Sequence, residues 1–283
     1  MKVISYDIKK SKNNSKVLSV VVPTISTSLD HFKKLKNSVY KNAEHVDINI
    51  VLNAVEDHGM DFKFSRSVNK GLQELDADFY LNVNDDIILN EMAFYYSLKD
   101  FKENHDLGLL GALLYLPNGR ITHAGIKVIK GPSLRYLGWY ISFSWIKDFP
   151  FYSINKIIKL KNTFRRNNIK EYYGTAHYRN INKNHFGLVT GAYHFFTREV
   201  YNFTKGYDEN YKMGLEDIDF CIKIMKNNKI IRMDTQVKGV HVPGSSELIY
   251  TEVYYYSQIA YLIHKYPADE VVKLVEKNGN LFL

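Results

Sequence analysis

Two pairs of adjacent carboxylates are the residues of this 283-residue sequence most able to do chemistry. The first pair, Asp85 and Asp86, directly follows an apolar stretch at 79–84. A divalent cation that is bound together with a diphosphate needs only one or two protein carboxylates, because phosphate oxygens and water supply its other ligands. The pattern therefore predicts a cation site. The alternative is a turn in which the Asp side chains bond nearby backbone amides.

The second pair, Glu216 and Asp217, stands where a helix is predicted to begin. A carboxylate in such a place can withdraw a proton from a hydroxyl group during nucleophilic attack. The approach to the pair contains Gly206 and Gly214, and catalytic groups concentrate where loops meet helices. The alternative is a purely structural one, since the helix dipole favours acidic residues at a helix N-terminus.

His241 ends a strand predicted from about 229 onward. A neutral imidazole there could ligate a metal ion, or it could be a structural side chain. The histidines show no His-x-x-x-His or Glu-x-x-His spacing, which disfavours a zinc hydrolase. The sequence also lacks the glycine-rich dinucleotide motif, the Walker A motif and the Gly-x-Ser-x-Gly elbow, which disfavours the three enzyme classes that use them.

Alternating strands and helices are predicted to position these residues. The predicted strands are 17–23, 48–53 and 79–84, and the predicted helices centre on 29–39 and 68–75. This alternation predicts an α/β fold with a parallel sheet. Ligands bind beyond the carboxyl ends of such strands, so the site is expected around Thr24, Asn53 and Asp85.

The rest of the chain divides into a regular part and an irregular part. A helix is predicted at 91–104, a strand at 107–116, a hairpin turn at Asn118-Gly119 and a strand at 188–197. Basic and aromatic residues are concentrated between this hairpin and the strand at 188–197, and this segment is predicted to be an insertion at about 127–186. The predicted organisation is one domain at 1–246 that contains this insertion, followed by a helical tail at 247–283.

Four segments in this order resemble the family 2 glycosyltransferases of GT-A fold, especially the rhamnosyltransferase-like branch. The segments are VVVPT, RSVNKGLQELDADFYLNVNDD, LGLLGALLYLPNGRITHAG and the block 188–246. The resemblance covers roughly residues 17–246. It implies a Rossmann-like, mostly parallel central sheet that is flanked by helices.

The resemblance also implies an activity. It is that of an inverting hexosyltransferase that moves a sugar from a UDP-, dTDP- or GDP-sugar to an acceptor hydroxyl, with Mg²⁺ or Mn²⁺. The acceptor class implied is a glycan, a glycolipid or a glycoprotein, and lipid-linked acceptors are common in the family. The alternative is a basic, aromatic nucleic-acid- or membrane-binding protein on a degenerate GT-A scaffold.

Residue roles follow from the same resemblance. The positions that match the donor-binding residues of the family are Pro23, Thr24, Asn53, Asn69, Asn84 and Asp85. Asp86 matches the metal ligand, His241 a contact to the metal or diphosphate, Asp217 the general base and Glu216 a residue that positions the acceptor. Asn53 and Asn84 replace aspartates of the family pattern, which changes the expected base preference and leaves the metal fewer anionic ligands.

The composition and net charge of the chain restrict the kinds of ligand and partner that it is expected to bind. The net charge of +8 favours an anionic ligand, and a sugar diphosphate explains the acidic motifs where nucleic acid does not. A single cysteine, Cys221, excludes an intramolecular disulfide and a cysteine zinc cluster. The sequence shows no targeting or spanning stretch, which predicts a cytoplasmic protein. Aromatic residues in the insertion and in the tail leave open peripheral contact with the inner membrane face, or a homo-oligomer.

Overall fold

A nine-stranded mixed sheet forms the centre of the structure, which is a computed structural model. It describes residues 1–58, 62–131, 172–177, 187–211, 214–242, 258, 261–262 and 264–278. The strands are β1 (Lys2–Lys9), β2 (Val17–Thr24), β3 (Asn49–Glu56), β4 (Phe79–Val83), β5 (Ile87–Leu89), β6 (Leu107–Tyr115), β7 (Ile121–His123), β8 (Ile126–Gly131), β9 (Tyr172–His177), β10 (Gly187–Leu188), β11 (Tyr193–Thr197) and β12 (Ile230–His241). The described helices are α1 (Asp30–Glu44), α2 (Phe64–Gln73), α3 (Ala93–Glu103), α4 (Arg198–Thr204), α5 (Glu216–Lys226) and α6 (Ala268–Asn278).

The strand order in the central sheet is β1-β3-β2-β4-β11-β6-β12-β5, and β7 pairs with β6. Five strands, β3, β2, β4, β6 and β12, run in one direction, while the other four run against them. Helices flank both faces. The predicted α/β fold class is therefore confirmed, and the carboxyl ends of the five strands that share a direction lie along one edge.

Apolar side chains fill the space on each face of the sheet. Phe32, Leu35 and Val39 of α1 recur at helical spacing and are buried in one core together with α3. Val68 and Leu72 of α2 belong to the other core, which also contains α5 and α6. Burial of each large aliphatic side chain stabilises the fold by about 1.5–3 kcal/mol, so both helix layers are held firmly against the sheet.

Strand β1 is an element that the sequence analysis missed. Its residues alternate in exposure from Ile4 to Ile8, and it pairs with β3 as an antiparallel edge strand. The signal was present in the sequence, because Ile4, Tyr6 and Ile8 alternate with the polar residues Ser5 and Asp7. The ammonium group of Lys36 lies 3.5 Å from the centre of the Tyr6 ring, a cation–π contact that covers the strand.

Strand β11 is shorter than the predicted strand at 188–197 and runs against both of its neighbours. A turn at 190–192 separates it from β10. The reversal brings this turn to the edge of the sheet where the neighbouring strand β4 ends, because β11 begins at Tyr193 opposite Val83.

The predicted hairpin at Asn118-Gly119 is confirmed. The amide of Leu116 donates to the carbonyl of Arg120 at 2.7 Å, and Gly119 has a φ of 78°, which glycine adopts without strain. The hairpin joins β6 to β7 and so brings His123 opposite Leu114.

The insertion contains strands that no period in its sequence predicted. β8 pairs on one side with β9 and on the other with β10, which gives a three-stranded antiparallel sheet. Residues 132–171 and 178–186 lie outside the described part. The aromatic and basic side chains proposed for membrane or nucleic-acid contact, such as Trp139, Trp145 and Arg165, fall there.

The C-terminal tail packs on the body of the protein where it is described. Leu262, Val271 and Val275 are buried against the core that contains α5. The side chain of Asn278 accepts from the amide of Ile231 at 2.8 Å and donates to its carbonyl at 3.1 Å. Tail residues such as Tyr254 lie outside the described residues. Among the helices of the described part, none is both long and apolar enough to cross a membrane.

A buried pair of acids gives the fold a pH dependence. Asp100 of α3 is buried, and burial together with the charge and hydrogen bond of Asp234 raises its pKa to about 7. A carboxyl whose folded pKa is raised stabilises the fold below its unfolded pKa, and this contribution is lost as the pH rises through the folded pKa. Asp100→Asn is therefore expected to gain stability relative to the wild type, by about 1–3 kcal/mol, as the pH rises from about 5 to about 8.

Urea unfolding of both proteins at the two pH values measures this difference. Asp7→Asn is the matched control, because the Asp7 side chain is exposed and its Oδ2 lies 3.8 Å from Lys10 Nζ. An exposed ion pair contributes little to stability, so the effect of Asp7→Asn should change little between the two pH values. An Asp100→Asn protein with the same pH dependence as the wild type would contradict the raised pKa of Asp100.

Candidate active site

Asp85 lies at the edge of the sheet and is held by two side chains from other elements. The hydroxyl of Thr24, at the end of β2, donates to Asp85 Oδ2 at 2.6 Å. His31 Nε2 of α1 lies 3.0 Å from the same oxygen. Burial raises the pKa of Asp85, while the Thr24 hydrogen bond and the His31 charge act in the opposite direction. Asp85 thus joins β2, α1 and the turn after β4.

Asp86 faces a different partner. Strand β5 pairs with β12 so that Ile87 lies opposite His241, and His241 Nε2 lies 3.2 Å from Asp86 Oδ2. The rings of His241 and His123 stack with their centres 5.5 Å apart. The structure therefore brings together the two residues predicted to contact a metal, at the same edge as Thr24.

The donor atoms at this point fit a divalent cation that takes most of its ligands from elsewhere. Asp86 offers a carboxylate oxygen and His241 an imidazole nitrogen, a combination suited to Mn²⁺ and, through the oxygen, to Mg²⁺. Asn84 Oδ1 is also buried and has no hydrogen-bond partner in the described part of the chain. Within that part, no group of three His, Cys, Asp or Glu side chains could hold a metal ion, so phosphate and water oxygens would have to complete the shell.

Helix α5 begins at Glu216, as predicted. Asp217 Oδ2 accepts from the amide of Gly191 at 3.0 Å, and its Oδ1 accepts from the amide of Ile218 at 2.8 Å. A Cβ atom at position 191 would lie only 3.1 Å from the Asp217 Cβ, so the close approach favours glycine there. The turn at 190–192 is therefore shaped to hold this carboxylate.

The same turn is bonded to strand β4 and to the acidic residues after it. Asn82 Nδ2 donates to the carbonyl of Gly191 at 2.7 Å, and the amide of Asn84 donates to the carbonyl of Ala192 at 3.2 Å. Two acidic motifs that are about 130 residues apart in the sequence thus share one backbone turn. The turn itself was not singled out by sequence reasoning, although the small residues in VTGA are a signal for a close approach.

Glu216 and Asp217 differ in their surroundings. Glu216 is buried, its Oε2 has no hydrogen-bond partner among the described residues, and burial together with the Asp217 charge raises its pKa to about 8. Asp217 is partly exposed, and burial raises its pKa too, against the opposing hydrogen bonds from Gly191 and Ile218. Burial therefore raises the pKa of both carboxyls, and the charge of Asp217 adds to the effect at Glu216.

Asn53 does not lie at a strand end. Strand β3 continues to Glu56, three residues beyond the predicted end, because Ala54 and Val55 are apolar and keep pairing with β1 and β2. The Asn53 amide is buried and is engaged inside the sheet. Its Oδ1 accepts from the hydroxyl of Ser5 at 2.7 Å, and its Nδ2 donates to Ser19 Oγ at 3.1 Å.

The residues that do lie at the end of β3 are Glu56 and Asp57. Glu56 Oε1 accepts from the amide and the hydroxyl of Thr27, both at 2.7 Å, and these two bonds lower its pKa. Asp57 Oδ2 accepts from Ser67 Oγ at 3.1 Å. The acidic pair directly after the apolar run was the available sequence signal, and the misplaced strand end concealed it.

Asn69 is engaged with the loop that leads to α5. Its Oδ1 accepts from the amide of Tyr207 at 2.8 Å, and its Nδ2 donates to the carbonyl of Tyr207 at 2.8 Å and to Glu209 Oε1 at 2.9 Å. Both amide hydrogens are therefore in use. In this structure Asn69 therefore holds the loop at 205–211 in place. Pro23, another residue predicted to bind the donor, directly precedes Thr24 at the end of β2.

No protein-family model matches the chain, and a comparison with curated proteins also gives no match. Solved structures do match. TarS 1-349 of S. aureus in complex with UDP-GlcNAc is 14% identical over 92% of this chain and 71% of that one, with a TM-score of 0.48. The catalytic domain of Drosophila beta1,4-galactosyltransferase 7 in complex with xylobiose is 16% identical over 84% of this chain and 67% of that one, with a TM-score of 0.38.

A further structure of TarS 1-349 is 14% identical, with a TM-score of 0.42, over 80% of this chain and 58% of that one. The chain thus spans less than two thirds of that protein fragment.

Proposed function

We propose that this chain is a glycosyltransferase that moves a sugar from a nucleoside-diphosphate sugar to an acceptor hydroxyl. The turn at 190–192 is the observation that carries the proposal, since it bonds to Asn82 on one side and to Asp217 on the other. A candidate base is thereby fixed beside the acidic edge where a diphosphate and its cation would bind. The motif order seen in the sequence supports the same activity.

On the donor side, the proposed site lies beyond β2, β4 and β12. Asp86 and His241 would hold Mg²⁺ or Mn²⁺, which when bound stabilises the charge on the departing diphosphate. Thr24 and His31 orient Asp85 by their contacts to its Oδ2. The net charge of +8 helps to attract a doubly anionic donor.

On the acceptor side, Asp217 receives the proton of the attacking hydroxyl. It is the partly exposed member of the pair, and its raised pKa makes it a stronger base than an ordinary aspartate. The pKa of Glu216 is raised to about 8, and in its protonated form Glu216 donates a hydrogen bond that orients the acceptor. Displacement from the opposite face of the sugar inverts the anomeric centre and needs only one basic carboxylate on the protein.

Thermal unfolding in the presence of nucleotides tests the donor side. We expect one of UDP, dTDP and GDP to raise the melting temperature with Mn²⁺ and to lose this effect when EDTA is added. A ligand at about 100 times its Kd stabilises the fold by about 2.7 kcal/mol, which is readily measured. The same nucleotide's sugar should then release nucleoside diphosphate in the presence of an acceptor. Absence of any nucleotide-dependent shift would contradict the proposal.

A further inference from the structure

A lysine from the C-terminal tail bonds to two acidic residues that flank the candidate base. Lys265 Nζ donates to Asp208 Oδ2 at 2.6 Å and to Asp219 Oδ1 at 2.5 Å. Asp208 belongs to the loop at 205–211, and Asp219 lies on α5 two residues after Asp217. A single ammonium group therefore connects the tail, the loop and the helix that carries the base.

The burial of these groups makes the connection strong. The Asp219 side chain has no exposed surface, and that of Asp208 is 11% exposed. A buried carboxylate is costly unless a charge pairs with it, and the ammonium group of Lys265 supplies such a charge to both acids. Lys223 Nζ lies 3.3 Å from the other oxygen of Asp219. Burial lowers the pKa of Lys265, but its bonds to Asp208 and Asp219 outweigh this and raise it, so the lysine is charged at neutral pH.

Aromatic rings restrict the ammonium group further. It lies 5.3 Å from the ring centre of Tyr266, 5.7 Å from that of Tyr261 and 6.0 Å from that of Tyr211. Cation–π contacts of this length attract a cation, and the Tyr261 hydroxyl also donates to Asp208 Oδ2 at 2.9 Å. The three tyrosine rings thus restrict the position of the Lys265 ammonium group.

The loop that Lys265 holds is itself packed on α5. The ring of Tyr207 stacks on Phe220 of α5 with a centre distance of 4.4 Å, and the Tyr207 hydroxyl lies 2.8 Å from His194 Nδ1 of β11. Asn69 holds the loop from the opposite side. Lys223 Nζ of α5 also donates to the carbonyl of Gly206 in the loop, at 3.3 Å. Lys265, by contrast, reaches the first turn of α5 through Asp219, two residues after Asp217.

We propose that Lys265 is a positioning residue of the active site, which ties the loop at 205–211 to α5 and so keeps Asp217 in place for proton transfer. This inference rests on the proposed function only for its catalytic consequence. The contacts of Lys265 with Asp208 and Asp219 do not depend on that function and are tested by a separate measurement. The proposal gives the C-terminal tail an indirect part in catalysis, through the position of Asp217.

Lys265→Met tests the inference, and Lys226→Met is its matched control. Lys226 Nζ lies 2.8 Å from Glu270 Oε1, so this lysine also pairs α5 with the tail. Lys226, however, lies in the last turn of α5, nine residues after Asp217. We expect Lys265→Met to lower kcat by roughly tenfold or more, with the Kd of the nucleotide changed by less than about twofold. Lys226→Met should lower kcat by less than about threefold, and Lys265→Arg should restore much of the Lys265→Met loss.

Amide hydrogen exchange of the two Met variants supplies the readout that does not depend on activity. Lys265→Met should speed exchange in the loop and in the first turn of α5, whereas Lys226→Met should not. If the wild type transfers no sugar but the exchange pattern is as expected, the tie stands and the proposed function fails. Equal effects of the two variants on exchange, or a fully active Lys265→Met protein, would overturn the inference.

Discussion

Replacing Asp217 by asparagine is expected to lower the rate of sugar transfer by about 10²–10⁴-fold. An amide cannot accept the proton of the attacking hydroxyl. Its single carbonyl oxygen can still accept from the amide of Gly191, while the bond from the amide of Ile218 is lost. Nucleotide binding should therefore stay close to that of the wild type. Steady-state release of nucleoside diphosphate, together with calorimetric titration of the nucleotide, separates the two effects. Transfer by Asp217→Asn at the wild-type rate would mean that another group is the base.

Glu216→Gln is the matched control, because it also removes a carboxyl group from the first turn of α5. Glu216 is protonated at neutral pH, so an amide resembles its resting state and the loss should stay below about tenfold. The pH profile gives a second check. Since burial raises the pKa of Asp217, the rate should fall on acidification at a pH above the ordinary aspartate value.

Asp86→Asn is expected to remove the dependence of nucleotide binding on Mn²⁺. Loss of a contact that only orients a ligand typically costs a metal site 10–100-fold in affinity, so loss of the ligand itself should cost at least about that much. The thermal shift produced by the nucleotide with Mn²⁺ should fall to the value seen with EDTA. A variant that keeps the full metal-dependent shift would show that Asp86 is not the ligand.

Asp85→Asn provides the comparison for Asp86→Asn. Its carboxylate is engaged by Thr24 and His31, so the amide should lower the melting temperature while the remaining nucleotide shift still depends on Mn²⁺. Asp85→Asn is thus expected to affect mainly the stability of the fold, and Asp86→Asn mainly the binding of the metal ion. If Asp85→Asn also removed the metal dependence, both carboxylates would have to contact the cation.

The acidic motifs were predictable because they follow local patterns. An apolar run that stops at Asn84-Asp85-Asp86 predicts a strand end, and Glu216 begins a helix whose apolar residues recur with the helical period. The division of labour between Asp85 and Asp86 was not predictable. It depends on His31, which is 54 residues away from Asp85 in the chain and meets it only through the fold.

Asn53 and Asn69 show the opposite case. The sequence placed Asn53 at a strand end because a polar residue follows an apolar run, but such ends are uncertain by a few residues and the pairing continues to Glu56. Asn69 contacts Tyr207, which is 138 residues further on. No local spacing contains that contact, so its role in the loop could be seen only in the folded chain.

The pairing of β10 with β8 has a consequence for how this chain could diversify. Ile126 lies opposite Leu188, so the chain leaves and re-enters the body at hydrogen-bonded neighbours. The entropic cost of closing a loop grows only slowly with its length. The segment between these anchors can therefore lengthen, shorten or be exchanged as a cassette without displacing Gly191, three residues further on. The inserted segment and the turn that holds Asp217 could thus have separate evolutionary histories within one chain.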